Sequence, residues 1–450
     1  MHNVLLIVVD SMRSDRLHGE RTALTPNIDR LVAGGTLFTT SVSPVAATMA
    51  SVWSMFTGLF PTRTGMGGGR YQGAGAGPGG YVPLLKRHGY STHATRTNLA
   101  ELAGVTKKFD HYVMASKHNN YLSLHDGLGE RLVDHIGSMD GSPWFFYIHL
   151  NDLHHPILVP PGLGDGHGDT DYDRMISYID MWIGRIVGAA DPERTLVVIT
   201  SDHGEYVRFV PRGGGINLEG GAVERMLWRA GNHAPIALRP VTERVSAALH
   251  GIRSKMRESK IRGMDLSNLE ERALTATRTV PGHHMFDDTL VTPLLFYGPG
   301  AEGGRLVERQ VRNVDVFPTI VDLLGIGGLD GRDGISLVPM MRGGDADAGP
   351  AYIESMPTIT RSRRFVGIRT PAFKYFRGED GGDPVLFDLS ADPGEERNIA
   401  GENPGAVGDM EGILRGILDH GAAGGGPEGG PGDDPGRERV EAELRKLGYV

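Results

Sequence analysis

The 450-residue chain contains no cysteine. That absence excludes disulfides, thiolate metal sites, iron–sulfur clusters and a cysteine nucleophile. The chain also lacks any apolar run near the ~18 residues of a membrane span. Its first apolar stretch, Val4–Val9, is too short for a signal-peptide core and has neither a basic leader nor a small-residue cleavage site. A soluble cytoplasmic protein is the expectation. Basic charge is in deficit as well: 46 Lys and Arg against 55 Asp and Glu leave a net charge of −9, which provides no general field for nucleic acid. What the chain has in excess is glycine, 66 residues, about twice the usual ~7%. The glycines follow no G-X-Y period and so mark long loops. A hydrophobic content of 39% with 22% charged residues suits a folded core, not a disordered chain.

Val4–Val9 is continuously apolar and β-branched, the pattern of a central parallel strand buried on both faces. Trp144–Leu150, Thr195–Thr200 and Leu294–Tyr297 read the same way, and Tyr90–Thr95 reads as a further strand. Helices are expected over Leu24–Gly35, with Pro26 at its first turn, over Ala47–Phe56, and over Val82–His88. Strands alternating with helices predict an α/β fold with a doubly wound, mostly parallel sheet. Phe365–Arg369, Phe373–Phe376 and Val385–Asp388 predict a small antiparallel sheet. The expected organisation is a catalytic domain over 1–345, a C-terminal α+β subdomain over 346–420, and a Gly/Pro-rich linker with a short Arg437–Leu447 helix over 421–450. Residues 206–281 interrupt the pattern. Their helix-like, basic stretch Val241–Thr279 is expected to form an inserted lid or an arm for self-association. Gly65–Gly80 lacks the lysine and spacing of a phosphate-binding loop.

Doubly wound sheets carry ligand sites at the carboxyl ends of their strands. Asp10, Asn151-Asp152 and Ser201-Asp202 stand at such ends. Near them in the pattern are Thr48, His154-His155, His203, and the segment Gly282-His283-His284-Met285-Phe286-Asp287-Asp288. Singly, each has an ordinary role as a helix cap, a turn or a surface histidine. Together they supply carboxylates and imidazoles, a donor set that suits zinc or manganese better than calcium. One or two such ions would polarise an ester and activate a hydroxyl nucleophile.

The order of these pieces resembles the alkaline phosphatase superfamily, on its sulfatase branch. Asn3–Asp10 with Ser11-Met12-Arg13 resembles the family's first strand and metal aspartate, and Thr25-Pro26-Asn27 the segment after it. Thr57-Gly58-Leu59-Phe60-Pro61-Thr62-Arg63 resembles its TG signature. Thr200–Glu205 resembles its second metal motif, Asp315–Thr319 its D-x-x-P-T segment, and Leu386–Leu389 with Asp392–Glu395 its C-terminal subdomain. The resemblance implies metal ligation by Asp10, Asp202 and His203. Asp152 and His284 are candidates for a second ion. Asp152–Pro156 resembles a D-x-H-x-P segment, which implies His154 as substrate contact or leaving-group acid. His155, Arg63 and His283 are implied as contacts to an anionic substrate. Two alignments of the Gly282–Asp288 segment choose different histidines, so His283 and His284 both stand.

The family's nucleophile lies nine residues before the Thr-Gly pair, which here is Thr48. Sulfatases of the family convert a cysteine or serine there to an aldehyde, and threonine is not a precursor. The resemblance therefore implies a small phosphorus ester, a phosphodiester or phosphonate monoester, attacked by Thr48. A sulfuric ester hydrolase and a phosphoalcohol transferase are the alternatives. A non-catalytic scaffold is disfavoured, because buried charges without a ligand are costly.

Overall fold

The computed structural model describes residues 1–423 apart from 20, 65–79, 97–107, 115–121, 140, 142, 156, 213–214, 220–256, 277–279, 302 and 356–362. Most of the Gly65–Gly80 loop, the first part of the Val241–Thr279 stretch and the Arg437–Leu447 helix lie outside the described residues.

In chain order the strands are β1 (Asn3–Val9), β2 (Thr36–Val42), β3 (Ser91–Arg96), β4 (His111–Met114), β5 (Trp144–Leu150), β6 (Thr195–Thr200), β7 (Phe209–Val210), β8 (Ile216–Asn217), β9 (Val291–Tyr297), β10 (Arg305–Val307), β11 (Val311–Arg312), β12 (Ala351–Glu354), β13 (Phe365–Arg369), β14 (Phe373–Gly378) and β15 (Val385–Asp388). The central sheet runs β10-β2-β9-β6-β1-β5-β3-β4, with β11 also on β2. All its strands are parallel except β9, which runs antiparallel to both β2 and β6. A second sheet, β12-β13-β14-β15, is antiparallel throughout. The expected α/β architecture with a small C-terminal antiparallel sheet is what the chain forms.

The pleat of β1 explains why its sequence is apolar without alternation. Val4, Leu6 and Val8 pack on one side with Met49, Val52 and Phe56 of helix α2 (Thr48–Thr57). Leu5, Ile7 and Val9 pack on the other with Tyr172, Ile176 and Ile183 of the helix Asp171–Gly188. These six apolar side chains are fully buried, each contributing roughly 1.5–3 kcal/mol of hydrophobic stabilisation. Replacing one by alanine would cost about 2–5 kcal/mol through the cavity left behind.

Register brings the strand ends level. Val9 pairs with Leu150, and Val8 with Thr200, so Asp10 emerges beside Asn151 and Asp202. Because β9 is reversed, its first residues meet the last residues of β2 and β6: Val291 pairs with Val42, and Leu294 with Thr200. The segment before β9 therefore reaches the same rim as the segments after β1, β5 and β6.

The described part of the 206–281 stretch is tied to the rest of the chain. Val210, Ile261 and Leu274 form a small apolar cluster. Arg272, in the helix Asn268–Thr275, donates to the carbonyls of Gly394 and Glu395. This end of the expected arm is thus packed against the C-terminal subdomain.

Candidate active site

Asp10, Asp202 and His203 are fully buried and offer one ligand atom each within 4.8 Å of one another. Among the described residues this is the one such group of three or more. Thr48, the first residue of α2, places Oγ1 3.3 Å from Asp10 Oδ2 and 3.5 Å from His203 Nε2. Its hydroxyl also sits at the positive end of a ten-residue helix. The His203 Nδ1–H donates to the Gly204 carbonyl at 2.8 Å. That bond leaves Nε2 as the lone-pair nitrogen, which is the form a metal ligand needs.

Backbone strain and hydroxyl bonds hold the group. Ser11 adopts φ +64°, in the left-handed region rare for serine. There its N–H donates to Asp202 Oδ1 at 3.2 Å and its hydroxyl to Asp10 Oδ1 at 2.7 Å. Tyr172 pins the turn: its hydroxyl donates to the Ser11 carbonyl and accepts from the Arg13 N–H. Ser51 of α2 donates to the Asp202 carbonyl at 2.5 Å, joining the Thr48 helix to the Asp202 loop. Gly204 is needed because a Cβ there would meet the Asp288 carbonyl at 2.3 Å.

Burial raises the Asp10 pKa, but contact with His149 and the nearby His154 and His203 outweigh it, holding the carboxyl well below its usual range. Asp152 is the opposite case. Burial pushes it up to about 7 despite the hydrogen bond from the Leu124 N–H. Asp152 falls outside the group of three and anchors the turn that starts at Leu124, so the placement lends no support to a second ion there.

The remaining expected residues are placed as follows. His154 is buried, donates through Nδ1 to the His155 carbonyl at 2.8 Å, and lies close enough to influence Asp10. His155 is partly buried beside it. His283 and His284 share the turn Pro281–Met285 at the rim, and neither joins the group of three. Tyr206 donates to the His283 carbonyl at 2.6 Å. Arg63 is committed elsewhere: its guanidinium bonds Asp333 at 2.7 Å and the Gly331 carbonyl. The Thr57-Gly58 pair ends α2, with Gly58 at φ +67° and its carbonyl accepting from the Asp333 and Gly334 N–H groups. This signature therefore braces the helix that carries Thr48, and Arg63 is a strut of that brace.

Sequence reasoning passed over His149. It is fully buried in β5, with Nε2 3.6 Å from Asp10 Oδ2 and Nδ1 2.7 Å from the Tyr147 hydroxyl. A histidine inside an apolar strand gave no motif to mark it.

The group fits a divalent cation. Asp202 Oδ2 is buried with no hydrogen-bond donor, His203 presents a lone pair, and Asp10 is held ionised. Two buried carboxylates so close repel each other unless positive charge lies between them. Three protein ligands beside a hydroxyl are the arrangement of a catalytic centre with an open coordination position.

A family model described as Sulfatase matches residues 2–326, and one described as N-sulphoglucosamine sulphohydrolase, C-terminal, matches residues 281–408. The chain is 35% identical over 142 residues to arylsulfatase K of Danio rerio, covering 30% of this chain and 27% of that protein. It is 32% identical over 136 residues to Delta 4,5-hexuronate-2-O-sulfatase of Bacteroides thetaiotaomicron, covering 28% of each. These matches span little more than a quarter of the curated relatives' length. Among solved structures, a 2-O GAG sulfatase superposes with TM-score 0.66 at 17% identity, covering 97% of this chain and 96% of that one. Phosphonate monoester hydrolase of Agrobacterium radiobacter gives TM-score 0.64 at 20% identity, covering 94% and 96%. At these identities the likeness is one of fold.

Proposed function

This chain belongs to the sulfatase family, on the sulfatase branch of the alkaline phosphatase superfamily and among metal-dependent ester hydrolases, and from that premise we propose that it hydrolyses a small sulfate monoester. The observation that carries a hydrolytic role is Thr48 Oγ1 lying 3.3 Å from Asp10 and 3.5 Å from His203. The choice of sulfate follows the names of the relatives, and so reverses the order of preference drawn from the sequence, which set phosphorus first.

A divalent ion held by Asp10, Asp202 and His203, manganese or zinc by its donor set, would supply Lewis-acid stabilisation of the ester oxyanion. The residues supply the rest. Asp10 Oδ2 accepts from the Thr48 hydroxyl and aims Oγ1 at the ester. Attack in line passes the Thr48 proton to Asp10 Oδ2, forms the Oγ1–sulfur bond and breaks the bond to the alcohol oxygen, which takes a proton from the His154 imidazolium. Water then displaces Thr48 from sulfur, releasing sulfate, while Oγ1 takes its proton back from Asp10 and His154 recovers a proton from that water.

Thr48 itself favours a second reading. A sulfate on a threonine oxygen has no elimination route and leaves only by displacement, whereas displacement at a phosphoryl centre is the ordinary way to clear such an adduct. A phosphodiester or phosphonate monoester is therefore the competing substrate class. One assay separates them: nitrophenyl sulfate, nitrophenyl phosphonate, and mono- and bis-nitrophenyl phosphate, with manganese or zinc, for wild type and Thr48→Ala. Sulfate turnover dominating, and lost by at least 100-fold in Thr48→Ala, supports the proposal. Dominant turnover of the phosphonate or diester overturns the sulfate assignment. Activity that survives in Thr48→Ala overturns the nucleophile.

A further inference from the structure

His149 is a polar side chain in a strand that is otherwise apolar or aromatic, and it is completely buried. Packing alone does not call for it, since a leucine would fill the site without a polar cost. Its position is fixed from three sides. The β1–β5 register sets His149 against Val8, two residues before Asp10. Thr95 on β3 brackets the His149 backbone, accepting from its N–H at 2.8 Å and donating to its carbonyl at 3.5 Å. Tyr147, also fully buried, lies with its hydroxyl 2.7 Å from Nδ1.

These contacts determine the tautomer. A tyrosine hydroxyl is protonated at neutral pH and can donate, while a neutral imidazole has one donor and one acceptor nitrogen. If Nδ1 held the hydrogen, the bare lone pair of Nε2 would face the Asp10 carboxylate at 3.6 Å, and the two would repel. With Tyr147 donating to Nδ1, the hydrogen resides on Nε2 and faces Asp10 Oδ2. That nitrogen has no other partner, and a few tenths of an ångström closes the gap to a hydrogen bond. On the opposite side of the carboxylate, Oδ1 accepts from Ser11.

We propose that His149, oriented by Tyr147, is a positioning residue that fixes the Asp10 carboxylate for cation binding. It acts through Asp10. Carboxylate ligands held by outer partners of this kind lose about 10–100-fold in metal affinity when the partner is removed. The inference rests on the reading of Asp10, Asp202 and His203 as a cation site.

The test is calorimetric titration of the purified full-length protein with Mn(II) and with Zn(II), without substrate, alongside thermal unfolding. His149→Leu should weaken binding 10–100-fold. His149→Gln, which places an N–H near the Nε2 position, should recover most of that loss. Tyr147→Phe, a conservative change in a buried ring, should weaken binding by about 10-fold while folding normally. Wild-type affinity in both His149→Leu and Tyr147→Phe overturns the proposal. Equal losses in His149→Leu and His149→Gln overturn it too, since the effect would then be one of packing. A wild-type protein that binds neither ion, or an Asp202→Asn variant that binds as wild type does, overturns the underlying cation site instead.

Discussion

Ser11 is in a conformation that costs on the order of 1 kcal/mol for a residue with a side chain, yet its N–H and hydroxyl each bond one of the two buried aspartates. Strain and function are thus joined in one residue, and two substitutions separate them. Ser11→Gly removes the strain together with the hydroxyl bond, so thermal stability should be unchanged or slightly higher while metal affinity and turnover fall. Ser11→Ala keeps the strain and loses the bond, so both stability and turnover should fall, stability by roughly 1 kcal/mol. A Ser11→Gly variant less stable than Ser11→Ala would show that the left-handed turn is unstrained here. At this scale the sequence is legible where a residue follows a recognisable run. Asp10, Asp202 and Thr48 stand at ends of strands and at a helix start, and they converge. Ser11 and His149 were not legible, because a dihedral angle and a contact across two strands leave no local mark. The tie of Arg63 to Asp333 was not legible either, because the two lie 270 residues apart.

Between elements, the C-terminal subdomain grips the rim through buried charge. Lys374 on β14 is fully buried, pairs with Asp287 at 2.5 Å, and also contacts Glu395. Arg369 on β13 bonds Asp287 as well. Asp287, facing two cations, is held well below the usual carboxylate range against its burial. Glu395 faces Lys374 and accepts from the Asp287 N–H, yet burial pushes it up to about 7. A raised folded pKa means that stability from the protonated acid is complete below about 4.5 and is lost as the pH rises through about 7. Unfolding midpoints at pH 5 and pH 8 should therefore show wild type falling relative to Glu395→Gln by roughly 1–3 kcal/mol. Parallel pH profiles for the two proteins would mean that Glu395 stays charged when folded. Element by element, the apolar strands β1, β5 and β6 and the strands β13–β15 were legible from hydropathy. Strand β2, Thr-Leu-Phe-Thr-Thr-Ser-Val, was passed over because its threonines and serine read as loop. The helix Pro404–Ala423 was missed because its five glycines weaken every local helix signal.

For the molecule as a whole, an ion held by Asp10, Asp202 and His203 would tie the end of β1 to the end of β6, so occupancy should stabilise the central sheet. An ion at 100 times its Kd adds about 2.7 kcal/mol by mass action. Manganese or zinc should raise the Tm of wild type, a chelator should reverse the rise, and Asp202→Asn should abolish it. A Tm indifferent to ion and chelator would remove the site from the account of stability. The α/β class was readable from the whole pattern, but the reversal of β9 was not, since strand direction depends on pairing that hydropathy does not encode. None of the helices among the described residues is long and apolar enough to cross a membrane.

That reversal has a consequence for how such a chain can diversify. Strand β6 ends, and β9 begins, at the same rim, so everything from Ser201 to Leu290 is an excursion that departs from the mouth of the site and returns to it. Its length places no demand on the sheet. Recombination could exchange the middle of this excursion between relatives as a cartridge without disturbing the pairing of β6 with β9. Asp202 and His203 at one end, and Asp287 at the other, would stay anchored in the shared framework.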